Sequence, residues 1–243
     1  MITRIIFFIF QIIAGLSSIA SVLFFVFSNE KNTKIALVLL CICLLSICIS
    51  LIIGIFIYVK NNNPAEYLID SVFAKMEFYG PTNGSYECFK TFQNKTVFMS
   101  SIVQQLYWTG TGIKNVKSSL PYDIQHIIKP NNLHEFIHKF RKPLFYNQIA
   151  TIHLALDFED AQNTYKPWLY MDIKQPTNFV YFSIVLKYKP DNYSAPAIIT
   201  KSPLEAPAIK ESIHSVPFDL KTKSYSYRFQ PEMGYSYAIE WEK

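Results

Sequence analysis

His134, Glu135, Phe136, Ile137 and His138 form the sharpest chemical pattern in the chain, two histidines four positions apart with a glutamate after the first. On a helix, positions i and i+4 share a face, so both imidazoles could hold one zinc ion while Glu135 acts as base toward a metal-bound water. The surroundings argue for a plainer role. Lys139 places a charge directly after the second histidine, Asn132 starts the helix late, and Arg141, Lys142 and Pro143 end it at once. A third ligand would have to come from a strand end such as Glu159. The same stretch reads as a surface helix whose Leu133, Phe136, Ile137 and Phe140 face a core.

His138, Lys139, Arg141 and Lys142 also make a basic cluster. It either complements a helix C-terminus or contacts an anion such as a nucleotide phosphate, RNA or a lipid headgroup, with Tyr225 and Tyr227 (and Tyr235 and Tyr237) as rings on which bases could stack. Other chemistry is thin. Gly110, Thr111 and Gly112 alone make a turn, not a phosphate loop, and no serine sits in a nucleophile elbow. Cys88 has no histidine near it in sequence and reads as a small core residue. No catalytic residue and no cofactor are expected, and the pattern is that of a sensing or binding domain.

Positioning these residues falls to two unlike parts of the 243-residue chain. It is 50% hydrophobic yet 17% charged, too apolar for an average soluble protein and too charged for a polytopic one. Residues 5–27 and 35–59 contain no charge and no proline. Each covers more than the roughly 30 Å of a hydrocarbon core, and the seven polar residues between them allow only a tight turn. The expectation is a membrane α-helical hairpin over residues 1–60. Gln11, Ser18 and Ser21 on the first span, with Ser46, Ser50 and Gly54 on the second, form stripes that pack the helices or line an oligomer's pore. Arg4, Lys60 and Lys75 favour both termini in the cytoplasm. The excess of five positive charges suits an anionic membrane face.

Residues 61–80 read as a linker and an amphipathic stalk helix, with Asn63 as cap, Pro64 at the first position, and Leu68, Ile69, Val72, Phe73 and Met76 at helical spacing. Residues 81–243 read as a β-rich cytosolic domain. Extended segments fall in 85–106, and a short helical insert covers Tyr122 to Ile128 and Leu133 to Phe140. From Asn147 onward the period is two, in Ile152 to Phe158, Trp168 to Ile173, Phe179 to Tyr188, Tyr225 to Phe229 and Tyr235 to Trp241. Six to eight strands predict a mainly β soluble domain, a β-sandwich or small barrel.

A hairpin at Ile5 to Val59 followed by strands after Asn147 resembles the two-transmembrane effectors of bacterial antiphage defence. These include the retron type, encoded with a reverse transcriptase and noncoding RNA, and the strand-rich type gated by cyclic oligonucleotides. The resemblance implies an inner-membrane toxin that homo-oligomerises in the lipid bilayer. On phage sensing it permeabilises or depolarises the membrane, under control of a reverse transcriptase with noncoding RNA and DNA, or of a cyclic oligonucleotide. The helical insert tilts the expectation toward the retron type. A membrane-anchored zinc protease using His134, Glu135 and His138 and a passive membrane adaptor remain alternatives.

Overall fold

The computed structural model describes residues 33–243 and, ahead of them, Gly15. The chain divides between Asn61 and Asn62 into two compact units. The first contributes helix α1 (Thr33–Asn62), whose segment Leu40–Asn62 is 23 residues long and apolar enough to cross a bilayer. At 1.5 Å per residue it spans roughly 34 Å. Ile42, Leu45, Ile49 and Ile53 are among its exposed side chains, an apolar surface that water would not tolerate at this extent.

The expected two-helix hairpin is not seen, because the described residues contain one membrane-length helix. The first expected span, with Gln11, Ser18 and Ser21, lies outside the described residues apart from Gly15.

The second unit is built from thirteen strands. Six of them, β1 (Tyr67–Gly80), β2 (Asn83–Asn94), β4 (Gly112–Lys117), β7 (Ile149–Glu159), β9 (Thr177–Leu186) and β12 (Ser224–Phe229), form one sheet in the order β12-β9-β1-β2-β7-β4. Every pair is antiparallel except β1 with β9, which runs parallel. A three-stranded antiparallel sheet, β3-β6-β5, combines β3 (Phe98–Tyr107), β5 (Asp123–Lys129) and β6 (Leu133–Phe145). A four-stranded one, β11-β10-β13-β8, combines β8 (Trp168–Asp172), β10 (Ala197–Pro203), β11 (Glu211–Val216) and β13 (Tyr235–Glu240).

Both smaller sheets cover the same face of the large one. Phe92 on β2 meets Phe140 on β6 at 6.2 Å between ring centres, and Phe229 on β12 meets Tyr237 on β13 at 4.8 Å. Phe78 on β1 packs on Trp241 at 5.7 Å, and the buried apolar side chains of all three sheets form one core. Alternation explains the placement: Ile152, Leu154, Leu156 and Phe158 point into the core from β7, and Val180, Phe182, Ile184 and Leu186 do so from β9.

Three segments expected to be helical are strands. In β1 the cause is a bulge. Ile69 pairs with Phe92 but Ser71 with Thr91, so Asp70 is an extra residue that shifts the phase. Ile69 and Val72 therefore share the core face although three apart, which imitates a helical step before period two resumes through Ala74, Met76 and Phe78.

In β6 the inward residues are His134, Phe136 and His138, all buried. Two histidines at core positions hid the alternation. Asn131 and Asn132, with φ of 62° and 58°, turn β5 into β6 in a left-handed conformation that asparagine tolerates, so Asn132 is a hairpin residue rather than a helix cap. The helical insert is thus a β-hairpin; β7 to β13 are the strands from Asn147 onward, and with the six before them they make a three-sheet assembly of thirteen in place of the expected sandwich or small barrel.

Candidate functional site

Between the two covering sheets the large sheet is left open, and a cavity of about 240 Å³ lies there. Its floor is β1 and β2, where Tyr86, Cys88 and Lys90 recur at every second position on the core side. One wall is β3, with Gln104 and Tyr107, and the other is β8, with Tyr170 and Met171. The walls touch where the Tyr107 and Tyr170 rings stand 5.2 Å apart. Lys174 ties them again, with Nζ 3.4 Å from Asp172 Oδ2 and donating to Gln105 Oε1 at 3.4 Å.

The floor holds groups of uneven character. Burial pushes the Cys88 thiol up, and it pushes the Tyr86 phenol well above its ordinary value, so both stay protonated at neutral pH. Burial lowers the Lys90 amine, the only cationic group of the floor. Among the described residues no carboxylate pairs with it. Gln104 is 3% exposed, and its side-chain oxygen accepts no hydrogen bond among the described residues. Lys90 is half-buried, so its amine is partly desolvated, and this and the orphaned acceptor both cost stability. Lys90→Met is accordingly expected to stabilise the β domain by about 1 kcal/mol, a rise of roughly 2–4 °C in the thermal midpoint followed by circular dichroism.

Beyond the β3 wall, on β5 and β6 of the covering sheet, lies a group of histidines. His126 Nε2 and His134 Nδ1 are 2.9 Å apart, and the His126 ring stacks on Phe136 at 4.6 Å. His138 is fully buried between Ile102 and Ile124, and among the described residues neither ring nitrogen has a hydrogen-bond partner. Burial, then the positive charge of Lys90, then His153 hold its pKa down at about 4. His153 is oriented by Ser119, whose backbone N–H donates to Nδ1 at 2.8 Å, and its Nε2 stands 3.2 Å from Glu87 Oε1.

The structure does not assemble the zinc site. His134 and His138 lie four apart on a strand, roughly 13 Å by the rise of extended chain, and cannot share an ion. Glu135 faces the other way, accepting from Gln105 at 3.1 Å and 3.4 Å from Lys129. Among the described residues no three His, Cys, Asp or Glu converge as metal ligands.

The basic cluster is split, since Lys139, Arg141 and Lys142 are exposed while His138 is inside. Tyr225 and Tyr227 lie on β12, in another sheet. Tyr225 is fully buried and donates to Ala195 O at 2.6 Å, and Tyr227 stacks on His214 at 4.9 Å. In α1, Ser46 donates to Cys43 O at 2.8 Å, spending its hydroxyl within its own helix. Ser50 is exposed and Gly54 half-buried.

Sequence reasoning missed the cavity. Its signal was present in the run Tyr86, Cys88, Lys90, Phe92, where a lysine occupies an inward position of a strand between two buried side chains.

No family model matches the chain, and no curated protein sequence does. Among solved structures, a putative protease from Parabacteroides distasonis ATCC 8503 is 9% identical with a TM-score of 0.44, over 72% of this chain and 40% of that one. An M1 zinc metallopeptidase from Deinococcus radiodurans is 11% identical with a TM-score of 0.35, over 72% and 42%. Baculovirus P35 is 7% identical with a TM-score of 0.37, over 74% and 99%. The chain spans about two fifths of the length of the two peptidases.

Proposed function

We propose that the protein is a membrane-anchored recognition protein, held in a bilayer by α1, whose β domain binds a small molecule in the cavity between its sheets. The observation that carries this reading is the cavity itself, where a chain that could have filled the gap with apolar side chains instead keeps an unpaired cation and an unpartnered amide oxygen. A ligand that completes them is one physical reason for such groups to be kept beside a cavity. With the thiol and phenol both protonated, binding suits the floor better than nucleophilic attack.

The output we assign to this receptor is that of a bacterial inner-membrane effector of antiphage defence, with the β domain in the cytoplasm. Occupancy of the domain acts by favouring one of two states of the membrane part. A cavity of about 240 Å³ is below the size of drug-sized sites, which favours a ligand smaller than a cyclic oligonucleotide.

The full chain expressed in a bacterium should stay in the membrane pellet through an alkaline carbonate wash, and a potential-sensitive dye should report depolarisation. Ile49→Arg with Ile53→Arg, each worth roughly 2.5–3.5 kcal/mol against insertion, should release the chain and restore the potential. Release of the wild-type chain would overturn the anchor, and an unchanged potential in wild-type cells would overturn the effector output.

A further inference from the structure

The charges around the cavity do not balance. Among the described residues Asp172 is the only carboxylate on its walls, and it is engaged by Lys174 at the rim. That leaves Lys90 on the floor as one positive charge without a counter-ion among the described residues. The neighbouring Cys88 and Tyr86 cannot supply the missing negative charge, because burial keeps both protonated. Water could solvate an ammonium at the surface, but on this floor the amine has lost part of that hydration.

A second observation is independent of charge. Gln104, 3% exposed and part of the wall, has an amide oxygen that accepts nothing from the described residues. About half of the lining is apolar, with the rings of Tyr67, Tyr107 and Tyr170 and the side chains of Ile69 and Met171 on one part of it, and the rest is polar.

We infer that the cavity binds a small organic monoanion, a carboxylate on a flat apolar body, with Lys90 as its counter-ion and Gln104 as acceptor for a hydroxyl or amine donor on the same molecule. This inference rests on the recognition role proposed above for the cavity and adds the ligand's charge and class. A single carboxylate neutralises Lys90, whereas a dianion would leave an excess charge inside. The body takes the place of water against the tyrosine rings, and a rotation of the Gln104 amide, whose unpartnered oxygen is buried at the edge of the cavity, brings that acceptor to the donor. The volume admits roughly ten non-hydrogen atoms, the size of a monocyclic aromatic acid.

The test uses the full chain in detergent micelles, titrated calorimetrically with 4-hydroxybenzoate, with the neutral 4-hydroxybenzamide and with inorganic phosphate. The acid should bind at least about tenfold more tightly than the amide, Lys90→Met should abolish that preference, and Lys90→Arg should retain most of it. Because the Lys90 charge opposes protonation of His138, bound acid should also move the His138 ring titration to higher pH in an NMR experiment, and the amide should not.

Equal binding of acid and amide, a preference that survives Lys90→Met, binding of phosphate in place of the acid, or no binding by any probe would each overturn the inference. The outcomes separate from those above. Loss of the membrane anchor with the acid preference intact would remove only the membrane reading, and a firm anchor with acid and amide bound equally would remove only this one.

Discussion

Lowering the pH from 6.5 to 4 is expected to cost the β domain on the order of 3 kcal/mol of stability, through His138 alone. The folded protein holds this ring neutral down to a pKa of about 4, while in the unfolded chain it takes up a proton near 6.5. Folding therefore excludes a proton. The contribution is intact above about pH 6.5, is lost as the pH falls toward 4, and changes little below that. His126 and His134, whose pKa values burial also lowers, add to the loss in the same direction. Glu77 is a separate case. Its two lysine partners, Lys75 and Lys187, outweigh burial and lower its pKa, so its loss begins only near the ordinary glutamate value.

Urea unfolding at a series of pH values reads the slope directly. His138→Leu is similar in volume, removes two ring nitrogens that have no partner, and should both raise stability at neutral pH and remove most of the slope between 6.5 and 4. A slope unchanged in that variant would place the proton elsewhere.

Gly84→Val should prevent the β domain from folding. A Cβ at this position would fall against the carbonyl oxygen of Glu77 and 2.6 Å from the Phe158 ring. Neither neighbour can yield. Gly84 pairs with Phe78 on one side and with Phe158 on the other, so the oxygen belongs to a fixed ladder, and both phenylalanines are almost wholly buried. Overpacking of this kind belongs to the small class of substitutions costing more than about 4 kcal/mol. The far-ultraviolet β signal and a cooperative urea transition should both disappear in Gly84→Val, and Gly84→Ala should show a transition shifted to much lower urea. A wild-type midpoint in the alanine variant would mean that β1 and β7 can separate at this point.

The sequence was most legible where each face of a strand kept one chemical character. In β7 and β9 the inward residues are uniformly apolar, and alternation locates both. It was least legible where a core position carries a titratable side chain. His134 and His138 in β6 face inward with Phe136, yet by residue type they mimic the ligand spacing of a helix, and this one misreading produced both the zinc site and the helical insert. The bulge at Asp70 shows a second route to the same error, because one inserted residue turns a period of two into a step of three.

The cavity was legible only in part, through the inward lysine of β2, and for a different reason. Its wall residues come from β1, β2, β3 and β8, and only tertiary packing brings Lys90 and Gln104 to one space. The long apolar run of α1 needed no such assembly, since its length and composition carry the information locally.

The parallel ladder at the centre of the large sheet sets an order of events during synthesis. Ile69 pairs with Thr177, and Phe78 with Leu186, so β1 leaves the ribosome long before its β9 neighbour exists. An antiparallel hairpin with β2 can form early, but the other edge of β1 stays open while more than half of the domain is still being translated. Nascent chains arrested between β7 and β9 should therefore be held by cellular chaperones or be prone to aggregate, and the completed domain should mature late and in a single cooperative step.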